Sequence, residues 1–187
     1  MNPSLETIKN RRAIRAYTAQ PIERATLEAI LDAGRWAPSA MNRQPYRFVV
    51  AASPAFRRQL AAAARPYYDK WLANLADDAR KRISERNAGM PDPVYYSAAA
   101  VVFVIGNGPT AELDCPMVCE NMMLAARALG LGSCWVYTGS LVATDPAIKA
   151  ALGLQEGERI FGPIILGHPQ DGFPPPTTRQ PLNVRWL

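Results

Sequence analysis

Histidine is almost missing from this chain, with His168 alone among 187 residues. Only three cysteines accompany it, Cys115, Cys119 and Cys134, and none forms a CxxC pair. A zinc site is therefore short of ligands, and an iron–sulfur cluster fails on the same count. The thiols are expected to be packed or incidental, and no metal is expected. No apolar run approaches the roughly 20 residues of a membrane-spanning helix. The opening Met1-Asn2-Pro3-Ser4-Leu5-Glu6 lacks the charged-then-apolar layout of a secretory signal, so a cytoplasmic address is expected. Also missing are a catalytic triad, a paired-carboxylate motif, internal repeats and low-complexity tracts.

What is present is an ordinary globular composition, 49% apolar and 20% charged. The length suits one domain, taken here as residues 1–187. The net charge of +5 is uneven: residues 1–47 hold eight basic and four acidic side chains, residues 57–86 hold eight and four, and residues 100–187 hold five and seven. Neither a continuous basic face with interleaved aromatics nor a nucleic-acid-binding module accompanies the excess, so no nucleic-acid partner is expected. An anionic cofactor and a solvated helix face explain the charge better.

Hydrophobic spacing sets the organisation. Ser4 suits the cap of a short first helix carrying Leu5 and Ile8. Leu27, Ile30, Leu31 and Gly34 follow helical spacing after Pro21, with Gly34 as the expected stop. Residues 46–51 read as a strand, and Pro54 opens an alanine-rich helix to about Ala64. A separate amphipathic helix is expected from Tyr68 to Ile83, followed by a Gly- and Pro-rich excursion over 87–93. Ala98 to Ile105 is apolar throughout, as in a strand buried on both faces. Asp114 suits the cap of a helix to Leu129 that is apolar nearly all round, for which a second subunit is the expected cover. Ser133 to Thr138 reads as a strand, Asp145-Pro146 opens a short helix, and Ile160 to Leu166 is a last strand. Gly162 and Pro163 point to a bulge or an edge there. The proline-rich tail, with Leu182, Val184 and Trp186 alternating, is expected to lie as an extended arm on a sheet.

Two stretches bear chemistry. Arg11-Arg12-Ala13-Ile14-Arg15 places three guanidiniums within five residues, a fork suited to phosphate. The same residues also suit a solvated basic turn. Pro38-Ser39-Ala40-Met41-Asn42-Arg43-Gln44-Pro45 offers a hydroxyl, two carboxamides and free amides, which match the mixed donor–acceptor edge of a flat heteroaromatic ring. An ordinary turn uses the same residue types.

In this order and separation the two motifs resemble the nitroreductase family of flavin-dependent oxidoreductases. Members begin Arg-Arg-Ser-x-Arg and continue to Ala-Pro-Ser-x-x-Asn-x-Gln-Pro-Trp. Glu120-Asn121-Met122-Met123-Leu124-Ala125-Ala126 with Leu129-Gly130-Leu131-Gly132-Ser133 resembles the family's central helix and following strand. Leu166-Gly167-His168-Pro169 and Arg179-Gln180-Pro181-Leu182 resemble its closing motifs. The likeness covers nearly the whole chain.

The resemblance implies an α+β fold, a mostly antiparallel sheet flanked by helices, in an intertwined homodimer with a C-terminal arm and FMN at the subunit interface. Arg11, Arg12, Arg15 and Arg179 match residues holding the phosphate and ribityl chain. Pro38, Ser39 and Ala40 match a loop touching the flavin from the other subunit, joined by Asn42 and Gln44. Tyr137, Thr138 and Gly139 match the stretch whose backbone lies against the isoalloxazine. The implied activity is ping-pong: NADPH or NADH reduces the flavin, then a nitroaromatic or quinone acceptor is reduced. A specialised flavoenzyme of the same fold, or a non-catalytic flavin-binding dimer, stands as the alternative.

Two positions depart from the pattern. Ala13 replaces the usual Ser and leaves only backbone to contact the cofactor, and Tyr46 replaces the usual Trp. No protein acid or base is required, because flavin carries the redox chemistry. Met90, Tyr95 and Tyr96 are the candidates for the acceptor pocket.

Overall fold

The computed structural model describes residues 2–187. Its centre is a seven-residue strand within the expected apolar region, and among the described residues six α-helices and three more strands assemble around it. The elements are α1 (Pro3–Asn10), α2 (Arg24–Arg35), β1 (Tyr46–Ala51), α3 (Pro54–Ala73), α4 (Asp77–Arg86), β2 (Ala100–Gly106), α5 (Ala111–Ala128), β3 (Gly132–Trp135), α6 (Pro146–Ala151) and β4 (Arg159–Gly167). The sheet runs β1-β2-β4-β3, and every neighbouring pair is antiparallel. This is an α+β architecture, helices on both faces of an antiparallel sheet.

β2 shows why a continuous apolar run is needed at that position. All seven of its residues are buried, and alternate side chains leave opposite faces of the sheet. Ala100, Val102 and Val104 pack with Leu27 and Ile30 of α2 and Val118 and Met122 of α5. Val101, Phe103 and Ile105 pack with Leu60, Ala64 and Tyr68 of α3 and Ile148 of α6. Two cores share one sheet, so β2 has no polar face to offer.

Several local expectations are corrected by packing. Gly34 lies inside α2 instead of ending it, because a Cβ there would stand 2.8 Å from Cγ of Met122. It is the close-approach point of α2 on α5. α3 runs unbroken through Pro66, and the break comes only after Ala73. The cap of α1 is Asn2, whose side chain accepts from the Ser4 amide at 2.9 Å. Of the bulge or edge expected at Gly162-Pro163, the bulge is found: β4 is interior, and the β2–β4 register shifts between Val102 and Val104. β3 ends at Trp135, and Tyr137–Thr144 is 3-10 helix instead of strand.

The tail also differs from expectation within one chain. Residues 174–187 are exposed and form no strand, with Leu182 92% and Trp186 90% exposed. The arm therefore does not lie on its own sheet. Among the described residues no helix is long and apolar enough to cross a membrane.

Candidate functional site

The arginine segment is held against the sheet by backbone pairing. Ala13 bridges Ser133 of β3 in parallel, Ile14 donates its amide to the Ser133 carbonyl at 2.9 Å, and Tyr17 bridges Pro169. Two glycines admit it so closely. A Cβ on Gly132 would meet three carbons of Ile14 at 2.8–2.9 Å, and one on Gly167 would meet the Tyr17 ring at 2.6 Å.

The three guanidiniums take different tasks. Arg12 is buried, donating through Nε to the Pro175 carbonyl at 3.1 Å and through Nη1 to the carbonyls of Lys9 and Arg11. It closes the turn after α1 and ties down the start of the tail. The Nε of Arg11 is buried without a hydrogen bond, 3.3 Å from the Glu120 carboxylate of α5. Arg15 places its guanidinium 5.9 Å from the ring centre of Tyr96, at the outer reach of a cation–π contact. Arg11, Arg15 and Arg86 all act electrostatically on the Cys134 thiol, which marks a positive region at the start of β3. Arg179 is exposed in the tail.

The polar loop is an unusual backbone. Met41, Asn42 and Gln44 have φ of 54°, 53° and 48°, a left-handed region that side chains disfavour. Three such residues in four positions persist only where surroundings fix them. Ser39 Oγ accepts from the Gln44 amide at 3.0 Å, and Gln44 Nε2 donates to Asn42 Oδ1 at 3.0 Å. Pro38, Ala40, Asn42 and Gln44 are exposed. Asp114, expected as a helix cap, instead lies within the first turn of α5, is 2% exposed, and accepts from the Ala40 amide at 3.2 Å. Its Oδ2 is buried without a partner. Sequence reasoning missed this anchor because the bond spans 74 residues of chain.

Tyr137 and Thr138 open the 3-10 segment, and Gly139 is buried behind them. Gly139 is clamped: a Cβ would stand 2.7 Å from the Tyr95 ring and 2.9 Å from Pro163. Tyr95 is itself buried and donates its hydroxyl to the Gly139 carbonyl at 2.9 Å. Burial holds that phenol protonated far above its ordinary range. Tyr95 is thus a support under the 137–139 segment, while Tyr96 faces Arg15 and Arg86. Met90 is half-buried.

Burial also pushes the Cys115 thiol up to about 12 and raises those of Cys119 and Cys134. All three are buried free thiols, so they are protonated at neutral pH and poor nucleophiles.

Within one chain the two motifs do not meet. The loop enters β1 at Tyr46, the sheet end shared with Gly106 and Arg159. The arginine segment crosses the opposite end, beside Ser133 and Gly167, where Ala100 pairs with Leu166.

Comparison with known proteins places this arrangement. The NADH dehydrogenase of Thermus thermophilus is 30% identical over 195 aligned positions, covering 94% of this chain and 92% of that protein. The NADPH-flavin oxidoreductase of Vibrio harveyi is 29% identical, covering 98% of this chain and 72% of the relative. Among solved structures, a nitroreductase with bound FMN from Desulfitobacterium hafniense superposes with a TM-score of 0.84 at 26% identity, covering 100% and 99% of the two chains. The sequence description of the Nitroreductase family matches residues 8–168. With a match over most of its length and a sheet built the same way, this chain belongs to the nitroreductase family.

Proposed function

We propose that this chain, a single cytoplasmic domain over residues 1–187, forms a homodimeric FMN-dependent oxidoreductase. It uses NADPH or NADH to reduce nitroaromatic, quinone or related small acceptors in ping-pong order. The carrying observation is the separation of the two motifs on opposite ends of one sheet. The seven residues of β2 span about 20 Å at roughly 3.4 Å per residue, and the space between is filled by buried side chains. In this reading the loop that touches the ligand comes from a second copy, and the arginines from the first.

The exposed apolar surface supports that dimer. Leu5 and Ile8 of α1, Trp36 after α2, and Leu113 and Met117 of α5 all remain exposed. An apolar groove of about 440 Å³ lies among α1, α2 and α5. Surfaces of this kind are covered by partners.

The residues present fit FMN. Arg11, with its buried unbonded Nε, joins Arg15 and Arg179 at the phosphate. Arg12 builds the turn that presents them and has donors left over, and Ala13 offers backbone alone. Pro38, Ser39, Ala40, Asn42 and Gln44 of the second copy would hold the ring. The 137–139 backbone, braced by Tyr95, would contact the ring. Bound FMN supplies hydride and electron transfer between the nicotinamide and the acceptor. Tyr96 and Met90 border the acceptor space.

The test is initial-rate kinetics of the purified protein with NADPH or NADH against 4-nitrobenzoate and benzoquinone. Parallel double-reciprocal lines and turnover with either acceptor are expected. Absence of NAD(P)H-dependent turnover in flavin-loaded protein overturns the reading.

A further inference from the structure

A second cleft, of about 490 Å³, lies between α3 and the 91–98 segment. Its size falls within the roughly 300–1,000 Å³ of small-molecule sites. None of the residues assigned above to FMN lines it, and it shares only Tyr95 with the expected acceptor pocket.

Its charge is unbalanced. Arg57 and Arg58 rise from the first turns of α3, and Arg65 stands two turns on. Arg65 is satisfied by Asp69 at 2.9 and 3.0 Å. Arg57 donates only to main-chain carbonyls, Ala98 at 2.6 Å and Ala52 at 3.3 Å. Arg58 is exposed and makes neither a hydrogen bond nor an ion pair among the described residues. The one carboxylate lining the cleft, Asp92, is turned onto its own loop. It accepts from the amides of Val94 and Tyr95 through Oδ1, at 3.1 and 2.8 Å, and of Ser97 through Oδ2, at 3.1 Å.

Two adjacent guanidiniums without a carboxylate partner repel each other. Burial, and then the charge of Arg58, pull the Arg57 guanidinium below its ordinary range, and the Asp92 carboxylate offsets this only in part. The first turn of α3 adds to the positive potential: it holds no acidic residue and its N-cap Ser53 makes no side-chain bond. An anion seated between Arg57 and Arg58 relieves each of these costs. The other walls, Ala61, Pro91, Pro93 and the Tyr95 ring, are apolar and require a ligand with an apolar body.

We propose that this cleft binds a small amphipathic anion, its carboxylate or phosphate head held by Arg57 and Arg58 and its apolar body along Ala61, Pro93 and Tyr95. The proposal is independent of the flavin reading, because none of the flavin-site arginines takes part.

Isothermal titration calorimetry of the purified full-length protein with octanoate and octyl phosphate tests it, with 1-octanol as the uncharged control. One site per chain is expected, and octanol should bind at least about tenfold more weakly, a charge-assisted contact having been lost. Arg58→Glu should weaken octanoate by at least about tenfold through charge reversal. Ala61→Trp should abolish binding by filling the cleft. Both variants should keep wild-type flavin content and melting temperature. Octanoate and octyl phosphate giving no binding heat up to roughly 10 mM, affinity unchanged in both variants, or octanol binding as tightly as octanoate overturns the proposal.

Discussion

The carboxylate of Asp114 accepts the Ala40 amide at 3.2 Å and fastens loop 38–45 to the first turn of α5. This bond joins two parts of the proposed dimer interface within one chain. The loop it fixes contains three left-handed non-glycine residues, whose strain is tolerated only while the loop is anchored. In the proposed site Asp114 is thus a positioning residue, acting through Ala40.

Removing the anchor should therefore loosen flavin binding without emptying the phosphate site. Asp114→Ala takes the acceptor from the Ala40 amide and is expected to weaken FMN by about tenfold, the equivalent of about 1.4 kcal/mol. Asp114→Asn keeps an acceptor for Ala40 and offers an amide where Oδ2 has no partner, so it should stay within about threefold of wild type. Fluorescence titration of FMN into apoprotein reads both.

Gly132 governs how closely the arginines approach the sheet. Gly132→Ala puts a Cβ within 2.9 Å of the branched carbons of Ile14, which cannot swing aside without moving the backbone. A destabilisation of about 1–3 kcal/mol is expected, with faster FMN loss on dialysis. Urea unfolding midpoints and residual flavin absorbance measure the two effects together.

An ion pair away from the site sets an acid limit. Arg47 of β1 reaches Glu158 with two bonds at 2.8 and 2.7 Å and also donates to the carbonyls of Leu152 and Gly153. The guanidinium, with the Gln155 amide, holds the Glu158 carboxyl below its ordinary 4.5. A carboxyl lowered in the folded state stabilises fully above its unfolded value, and that stability is lost as pH falls through the folded value. Glu158→Gln should melt lower than wild type at neutral pH, by roughly 1–2 kcal/mol of stability. The gap should close below about pH 4.5, as thermal melts across that window would register.

Tyr95 supports the 137–139 backbone, which is proposed to face the flavin ring. Tyr95→Phe keeps its packing and removes the bond to the Gly139 carbonyl, leaving that acceptor buried. A loss of about 1–2 kcal/mol is expected, accompanied by a shifted flavin absorption band. A band identical to wild type would detach Tyr95 from the flavin site.

Much of the fold was legible because packing demands leave local signatures. The apolar run of β2, the spacing of Leu27 and Ile30, and the Asp145-Pro146 start of α6 all formed as expected. Elements depending on distant chain were not legible. Asp114 has the chemistry of a cap but is spent on a loop 74 residues away. Gly34 has the look of a helix stop, yet Met122 across the interface requires its missing side chain. Gly162 and Pro163 suggested a bulge or an edge, and only the pairing with β2 and β3 on either side decides for the irregularity in an interior strand. Among the site residues, the arginine cluster read as one unit, and only the fold separated the inward-turned Arg12 from Arg11 and Arg15.

FMN held between two copies of this chain is the central proposal, and the visible spectrum of the purified protein under anaerobic conditions tests it most directly. The account predicts a yellow protein with one flavin per chain, bleached by NADPH or NADH and restored by a nitroaromatic or quinone. Arg11→Ala combined with Arg179→Ala should lower FMN retention by about 3 kcal/mol, two charge-assisted contacts being lost. A colourless protein that cannot be loaded with FMN would contradict it.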